Sequence, residues 1–432
     1  MRYKLRHPRM MARTPLGRMQ IADGMWHRSW PLLRSAAYVY RQLLLRRTRL
    51  IVISGTYGKT TTAHAVRAGL GLPYEPRVSQ NFLCSVARAL LRISPFAAYG
   101  VIEAGIDGPG QMQLYTSMLL PDTAIITSIG TEHHRRTGSI ENTRNEKAQL
   151  LSRLTPEGLA IINGDDPHVR WMGGQTRGRV IFYGMGEGNH VRANRIEAKW
   201  PEGTAFHVEV DDRAVPVFSP LHGRHMIYPM LAAMAVAHCE RMDLSLVAER
   251  LRNFRPIYGR MQVVNLPDGV TLICDDFKSS LETVESALDT LAAVPARRRI
   301  AVLGEIAEFP ASQGTVYRAL GARLAAGCER AYIVGKNFQR YASGAARAGM
   351  PRSSLIDCGS FPINVLERLR QDLQEGDVVL IKGRYTQRLG RVALALQGHP
   401  VGCWISSCNC RSCNCDSCPM LATGWGNHPV IV

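Results

Sequence analysis

The chain has 432 residues, 46% of them apolar, which suits two or three domains with a sizeable core. No apolar run reaches the roughly 18 residues of a membrane span, and the start MRYKLRHPRMMART lacks the apolar stretch of a secretory signal, so the expected location is the cytoplasm. The formal charge of +18 is concentrated: residues 1–49 carry twelve Lys or Arg and one acid, Asp23, a net +11.

Such a basic arm suits an anionic surface, lipid or nucleic acid, or is a solvated arm on a soluble enzyme. Peripheral contact with the inner face of a membrane is therefore one expectation. Nucleic acid is disfavoured, because aromatic and basic residues are not interleaved. Residues 28–47 read as one helix, with Trp30, Leu33, Ala37, Tyr40 and Leu44 on one face and Arg28, Arg34, Arg41, Arg46 and Arg47 on or near the other.

From residue 50, short apolar strands alternate with helices. Strands are predicted at 50–53, 98–103, 123–128 and 159–162, with a helix over 60–70. This predicts an α/β class with a parallel sheet covered on both faces. The alternating stretch within 189–220 predicts an antiparallel hairpin, and an Ala-rich helix follows over 231–239. A second series, with strands at 270–274, 299–303, 331–334 and 378–382, predicts a C-terminal Rossmann-like α/β domain. The expected division is a basic helical arm 1–49, a central α/β domain 50–255, a C-terminal domain 256–402, and a Cys-rich tail 403–432.

The strongest local signal lies between the first strand and its helix: Ser54-Gly55-Thr56-Tyr57-Gly58-Lys59-Thr60-Thr61-Thr62. Gly55 and Gly58 allow the tight turn, and the N–H groups of Thr56 and Thr61 with the helix N-terminus face phosphates. Lys59 reaches the β- and γ-phosphates, and the Thr60 hydroxyl serves Mg²⁺. Ile53 stands where the longer phosphate-loop (P-loop) pattern has its first Gly.

This loop, Gly-Thr-x-Gly-Lys-Thr-Thr, resembles the variant of the Mur ligases and of folylpolyglutamate synthetases. The likeness to the Mur ligase family continues in order through Thr127-Ser128-Ile129-Gly130-Thr131-Glu132-His133, Gly138-Ser139-Ile140-Glu141 with Lys147, Asn163-Gly164-Asp165-Asp166-Pro167, and Leu221-His222-Gly223-Arg224-His225. It resumes at Tyr258-Gly259-Arg260-Met261, Asp275-Asp276-Phe277-Lys278, Ala301-Val302-Leu303-Gly304-Glu305 and Asp377-Val378-Val379-Leu380-Ile381-Lys382-Gly383. Within the family it is nearest the branch that adds D-alanyl-D-alanine to the muramoyl tripeptide.

The resemblance implies an ATP- and Mg²⁺-dependent ligase. A carboxylate is activated as an acyl phosphate and captured by an amino-acid or peptide amine, with release of ADP and phosphate. It implies two Mg²⁺ ions, one held by Thr60 and Glu103, the other by His133 and a carbamylated Lys147. It also implies that Asn163 contacts adenine, Arg260 the nucleotide, Asp276 the ribose and Lys278 the γ-phosphate region, as the C-terminal domain closes over ATP.

Residues 1–49 are read as standing in place of the family's UDP-sugar-binding domain, so the carboxylate is expected on a small molecule or on a lipid- or polymer-linked acceptor. Met226 and Pro229 occupy positions where the family has asparagines, and Asp276-Phe277-Lys278-Ser279-Ser280 replaces the Tyr-Asn-Ala-Asn run of the dipeptide-adding branch. The alternatives are a polyglutamate-type chain-extending ligase and a non-catalytic ATP- or metal-binding partner subunit.

Five cysteines are scattered through the body as small core residues. The other six, Cys403, Cys408, Cys410, Cys413, Cys415 and Cys418, crowd into the tail. That density suggests Zn²⁺ or another soft metal, against a disordered or redox-active tail.

Overall fold

The computed structural model describes residues 8–75, 81, 83–132, 134–308, 312–426, 428 and 430. The chain divides into two compact units, one spanning His27–Arg255, the other joining Met1–Trp26 to Pro256–Val432.

In the first unit, β1 (Arg49–Ser54), β2 (Tyr99–Glu103), β3 (Thr123–Ile126), β4 (Leu159–Asn163), β5 (Arg179–Gly184), β6 (Val191–Lys199), β7 (Gly203–Val210) and β8 (Arg213–Ser219) form one eight-stranded sheet, in the order β2-β1-β3-β4-β5-β6-β7-β8. From β2 to β6 all neighbours are parallel. The run Leu50-Ile51-Val52-Ile53 is buried throughout, as expected of a strand covered on both faces. The helix Ile227–Cys239 is apolar all round and packs on the helix Lys59–Gly69, so both are interior.

The predicted hairpin over 189–220 is instead a three-stranded antiparallel meander that extends the same sheet. Its third strand, β8, buries only Val217 and Ser219, too little to show a clear apolar face in the sequence.

The helix predicted over 28–47 is the shorter Trp30–Leu43, and a separate helix, Pro15–Arg28, precedes it. The break falls at Ser29, just before Pro31 in the first turn of the second helix, where the missing N–H costs nothing. Trp30, Leu33, Ala37 and Tyr40 pack inward as the spacing implies. Two residues depart from that reading: Leu44 is half exposed, whereas Arg41 is buried. The Arg41 guanidinium fills the acceptors at the end of the helix Gln111–Leu119, donating to the carbonyls of Leu119 and Leu120 at 3.0 Å each, and pairs with Asp122 at 2.8 Å.

The second unit contains a six-stranded sheet of β9 (Gln262–Asn265), β10 (Thr271–Asp275), β11 (Arg298–Leu303), β12 (Arg330–Ile333), β13 (Leu355–Asp357) and β14 (Asp377–Lys382). Its order is β13-β12-β11-β14-β10-β9, parallel except for β9. The edge strands β9 and β13 are too short and too exposed to register as apolar runs.

Candidate active site

Strand β1 delivers Ser54 fully buried, and the chain then turns through Gly55 (φ +146°) and Gly58 (φ +79°) into the helix Lys59–Gly69. A Cβ on Gly55 would lie 2.0 Å from Thr127 Oγ1, so no other residue fits that turn without displacing the neighbouring strand end.

The loop is stapled to the segment after β3. Thr56 N donates to Ser128 O at 2.8 Å, Tyr57 N to Ser128 Oγ at 2.8 Å, and Gly130 N to Thr56 Oγ1 at 3.1 Å. The Thr-Ser-Ile-Gly motif thus braces the phosphate loop.

At the head of the helix, Thr60 Oγ1 donates to Glu103 Oε2 at 2.7 Å, and Asn81 Nδ2 donates to Glu103 Oε1 at 2.6 Å. Glu103 closes β2 and is 2% exposed. A hydroxyl and a carboxylate beside a helix N-terminus form the hard-oxygen set that Mg²⁺ with a triphosphate takes. The Lys59 ammonium folds over the loop, 2.8 Å from Gly55 O and 3.0 Å from Thr56 O. Lys147, 1% exposed on the helix Ile140–Ser152, reaches the same Gly55 carbonyl at 2.9 Å. Thr60, Glu103, Lys59 and Lys147 therefore converge on one loop; His133 lies outside the described residues.

Asn163, at the end of β4, donates Nδ2 to Thr127 O at 2.8 Å, and its Oδ1 accepts Asp165 N at 3.1 Å. Next to it are two carboxylates to which the sequence reading gave no role. Asp166 caps the helix Pro167–Met172 and also accepts Ile129 N at 2.8 Å, tying this turn to the bracing segment. Asp165 gathers Met185 N, Gly186 N, Asn189 Nδ2 and the Tyr228 hydroxyl. The Asp-Pro step after an apolar strand was a cap signal available in the sequence. Asn81 carried no such signal, because its partner is distant in the chain.

In the second unit, Asp276 follows β10 and is buried. Its Oδ2 accepts Gly390 N at 2.7 Å, while Oδ1 has no partner. Burial pushes its carboxyl above the ordinary range. An orphaned acceptor of this kind is what a ligand hydroxyl would satisfy. Neighbouring Asp275 pairs with buried Lys382 at 2.5 Å and accepts Met261 N at 3.2 Å. The Arg260 guanidinium stands 4.3 Å above the Phe277 ring, and Lys278 is half-buried just beyond.

The tail cysteines, expected to take a soft metal, lie close together in the second unit. Among the described residues no group of three or more His, Cys, Asp or Glu side chains is arranged to hold a metal ion. Cys403, Cys408 and Cys410 pack with Leu16, Met420 and Trp425 as a small core. Cys413 lies beside Cys410 and Cys418, and its thiol as a donor lowers theirs below the ordinary thiol range. Two buried arginines fix the backbone here: Arg391 donates to Cys403 O at 2.8 Å and Ile405 O at 2.9 Å, and Arg388 to the carbonyls of Cys410 and Cys413. The arginines satisfy the carbonyls of a segment that has almost no regular structure.

The family models for the Mur ligase middle domain and the Mur ligase glutamate ligase domain match residues 53–237 and 259–385. The UDP-N-acetylmuramoyl-tripeptide–D-alanyl-D-alanine ligase of Synechocystis is 29% identical over 352 residues, which cover 80% of this chain and 74% of that one. The ligase of the same name from Escherichia coli is 27% identical over 372 residues, covering 84% and 79%. Among solved structures, MurF from Acinetobacter baumannii superposes with a TM-score of 0.76 at 20% identity, covering 86% and 81%. MurF from Thermotoga maritima in complex with ADP does so at 0.73 and 19%, covering 86% and 84%.

Proposed function

We propose, for a chain that belongs to the Mur ligase family and is an ATP- and Mg²⁺-dependent amide-bond ligase, that it joins a muramoyl-tripeptide-type carboxylate to the amine of D-alanyl-D-alanine. The observation that carries this reading is the shared name and coverage of its relatives, together with a phosphate loop on which Lys59, Thr60, Glu103 and Lys147 converge.

On this reading Lys59 exchanges its two loop carbonyls for the β- and γ-phosphate oxygens. Thr60 and Glu103 would hold Mg²⁺, which would supply positive charge against the triphosphate. Carbamylation would turn Lys147 from a second ammonium on the Gly55 carbonyl into an anionic oxygen ligand, and with His133 it would serve a second Mg²⁺. Asn163, Arg260, Asp276 and Lys278 would receive adenine, phosphates and ribose, the orphaned Asp276 Oδ1 accepting from a ribose hydroxyl. The carboxylate attacks the γ-phosphorus, ADP leaves, and the amine displaces phosphate from the acyl phosphate. Positioning and electrostatics supply most of the acceleration.

The test is product mass. Purified protein with ATP, Mg²⁺, UDP-N-acetylmuramoyl-tripeptide and D-alanyl-D-alanine is expected to yield the pentapeptide. Turnover only with glutamate or with unrelated acids would refute the substrate assignment while leaving the ligase intact.

A further inference from the structure

We propose that the outward face of the helix Trp30–Leu43 docks this enzyme on an anionic lipid surface, an interaction that lies beyond the ligase reading. The helix is apolar on two sides. Its inner side carries Trp30, Leu33, Ala37 and Tyr40 and is used up in the core. The outer side presents Leu32, Ala36, Val39 and Leu43, spaced by four, three and four, which places them in one stripe along the helix. Leu32 is 77% exposed, Val39 49% and Leu43 59%.

The stripe cannot be hidden by rolling the helix. Arg41 is bound to Leu119, Leu120 and Asp122, Tyr40 donates its hydroxyl to Ile93 O at 2.7 Å, and Arg34 reaches Ser117 at 3.3 Å. Beyond the helix end, the Thr48 hydroxyl donates to Ala97 O at 2.8 Å and Arg49 N to Ala98 O at 2.9 Å. These bonds hold alongside it the turn that carries Phe96, which is 97% exposed.

Charge selects the occupant. Arg28, Arg46 and Arg47 are exposed at the two ends of the stripe. The ion pairs of this stretch run from Arg41 to Asp122 and from Arg49 to Glu240; among the described residues none involves those three arginines. An apolar stripe bordered by arginines that take part in no ion pair among the described residues is the pattern of a helix lying in a lipid headgroup layer. A single outward helix offers a peptide no groove, whereas a planar interface needs none.

The test is co-sedimentation of the full chain with vesicles of phosphatidylcholine alone or with added phosphatidylglycerol. Binding is expected only to the anionic vesicles, weakening in high salt. Neutralising Arg28, Arg46 and Arg47 to Gln should weaken partitioning about fivefold for each arginine. The triple variant Leu32→Glu, Val39→Glu, Leu43→Glu should abolish binding while keeping the melting temperature and ADP affinity of the parent. Equal binding to both vesicle types, no binding to either, or full binding by the triple variant would each overturn the proposal. So would a parent dimer that the triple variant converts to monomer, since the stripe would then be a protein interface.

Discussion

Lys147 Nζ lies 2.9 Å from the Gly55 carbonyl oxygen, the acceptor that Lys59 Nζ also approaches at 2.8 Å. Two ammonium groups thus share one loop oxygen, an arrangement relieved when one of them becomes a carbamate. With ¹³C-bicarbonate the protein should show a carbamate carbon resonance that Lys147→Ala lacks. A resonance unchanged by Lys147→Ala would place the modification elsewhere.

Glu103 takes hydrogen bonds from Thr60 and Asn81 on its two oxygens. Glu103→Gln keeps the shape and removes the charge, so the Mg²⁺ concentration for half-maximal rate should rise about tenfold or more. Asn81→Ala leaves the charge in place and should raise it less. An unchanged Mg²⁺ profile in Glu103→Gln would remove Glu103 from the metal site.

Asp276 predicts a trade between stability and binding. A carboxyl raised by burial holds its proton more readily folded than unfolded, so its contribution to stability falls as pH rises from the ordinary carboxylate range through the raised folded value. Asp276→Asn should therefore melt higher than the parent at pH 7, with the difference shrinking towards about pH 4, and should bind ADP more weakly. A variant less stable at pH 7 would contradict the sign.

Arg41→Ala should destabilise the first unit by about 2 kcal/mol, because it orphans the carbonyls of Leu119 and Leu120 and unpairs Asp122. On a unit of this size that lowers the melting temperature by about 4–8 °C. A shift under a degree would mean that water replaces the guanidinium.

Much of the architecture was readable because buried parallel strands are continuous apolar runs: Leu50–Ile53, Leu159–Ile162 and Val378–Ile381 lie where the pattern puts them. The edge strands β8, β9 and β13 were not, since their exposed positions dilute the pattern. The phosphate loop was readable because its glycines and Lys59 are adjacent in sequence. Asn81 and Asp165 were not, because their partners Glu103 and Tyr228 are joined to them only by the fold. The crowding of six thiols was readable, but the small core they form with Leu16, Met420 and Trp425, tied down by Arg388 and Arg391, was not, because those partners are distant in the chain. Arg41 misled, since a cation on a helix reads as solvated until the carbonyls it satisfies are known.

The most direct test of acyl-phosphate chemistry uses an acceptor whose carboxylate carries ¹⁸O. With ATP, Mg²⁺ and D-alanyl-D-alanine, one ¹⁸O should appear in inorganic phosphate, and Lys59→Ala should release none. Label found in AMP, or retained wholly in the peptide while ATP is consumed, would contradict it.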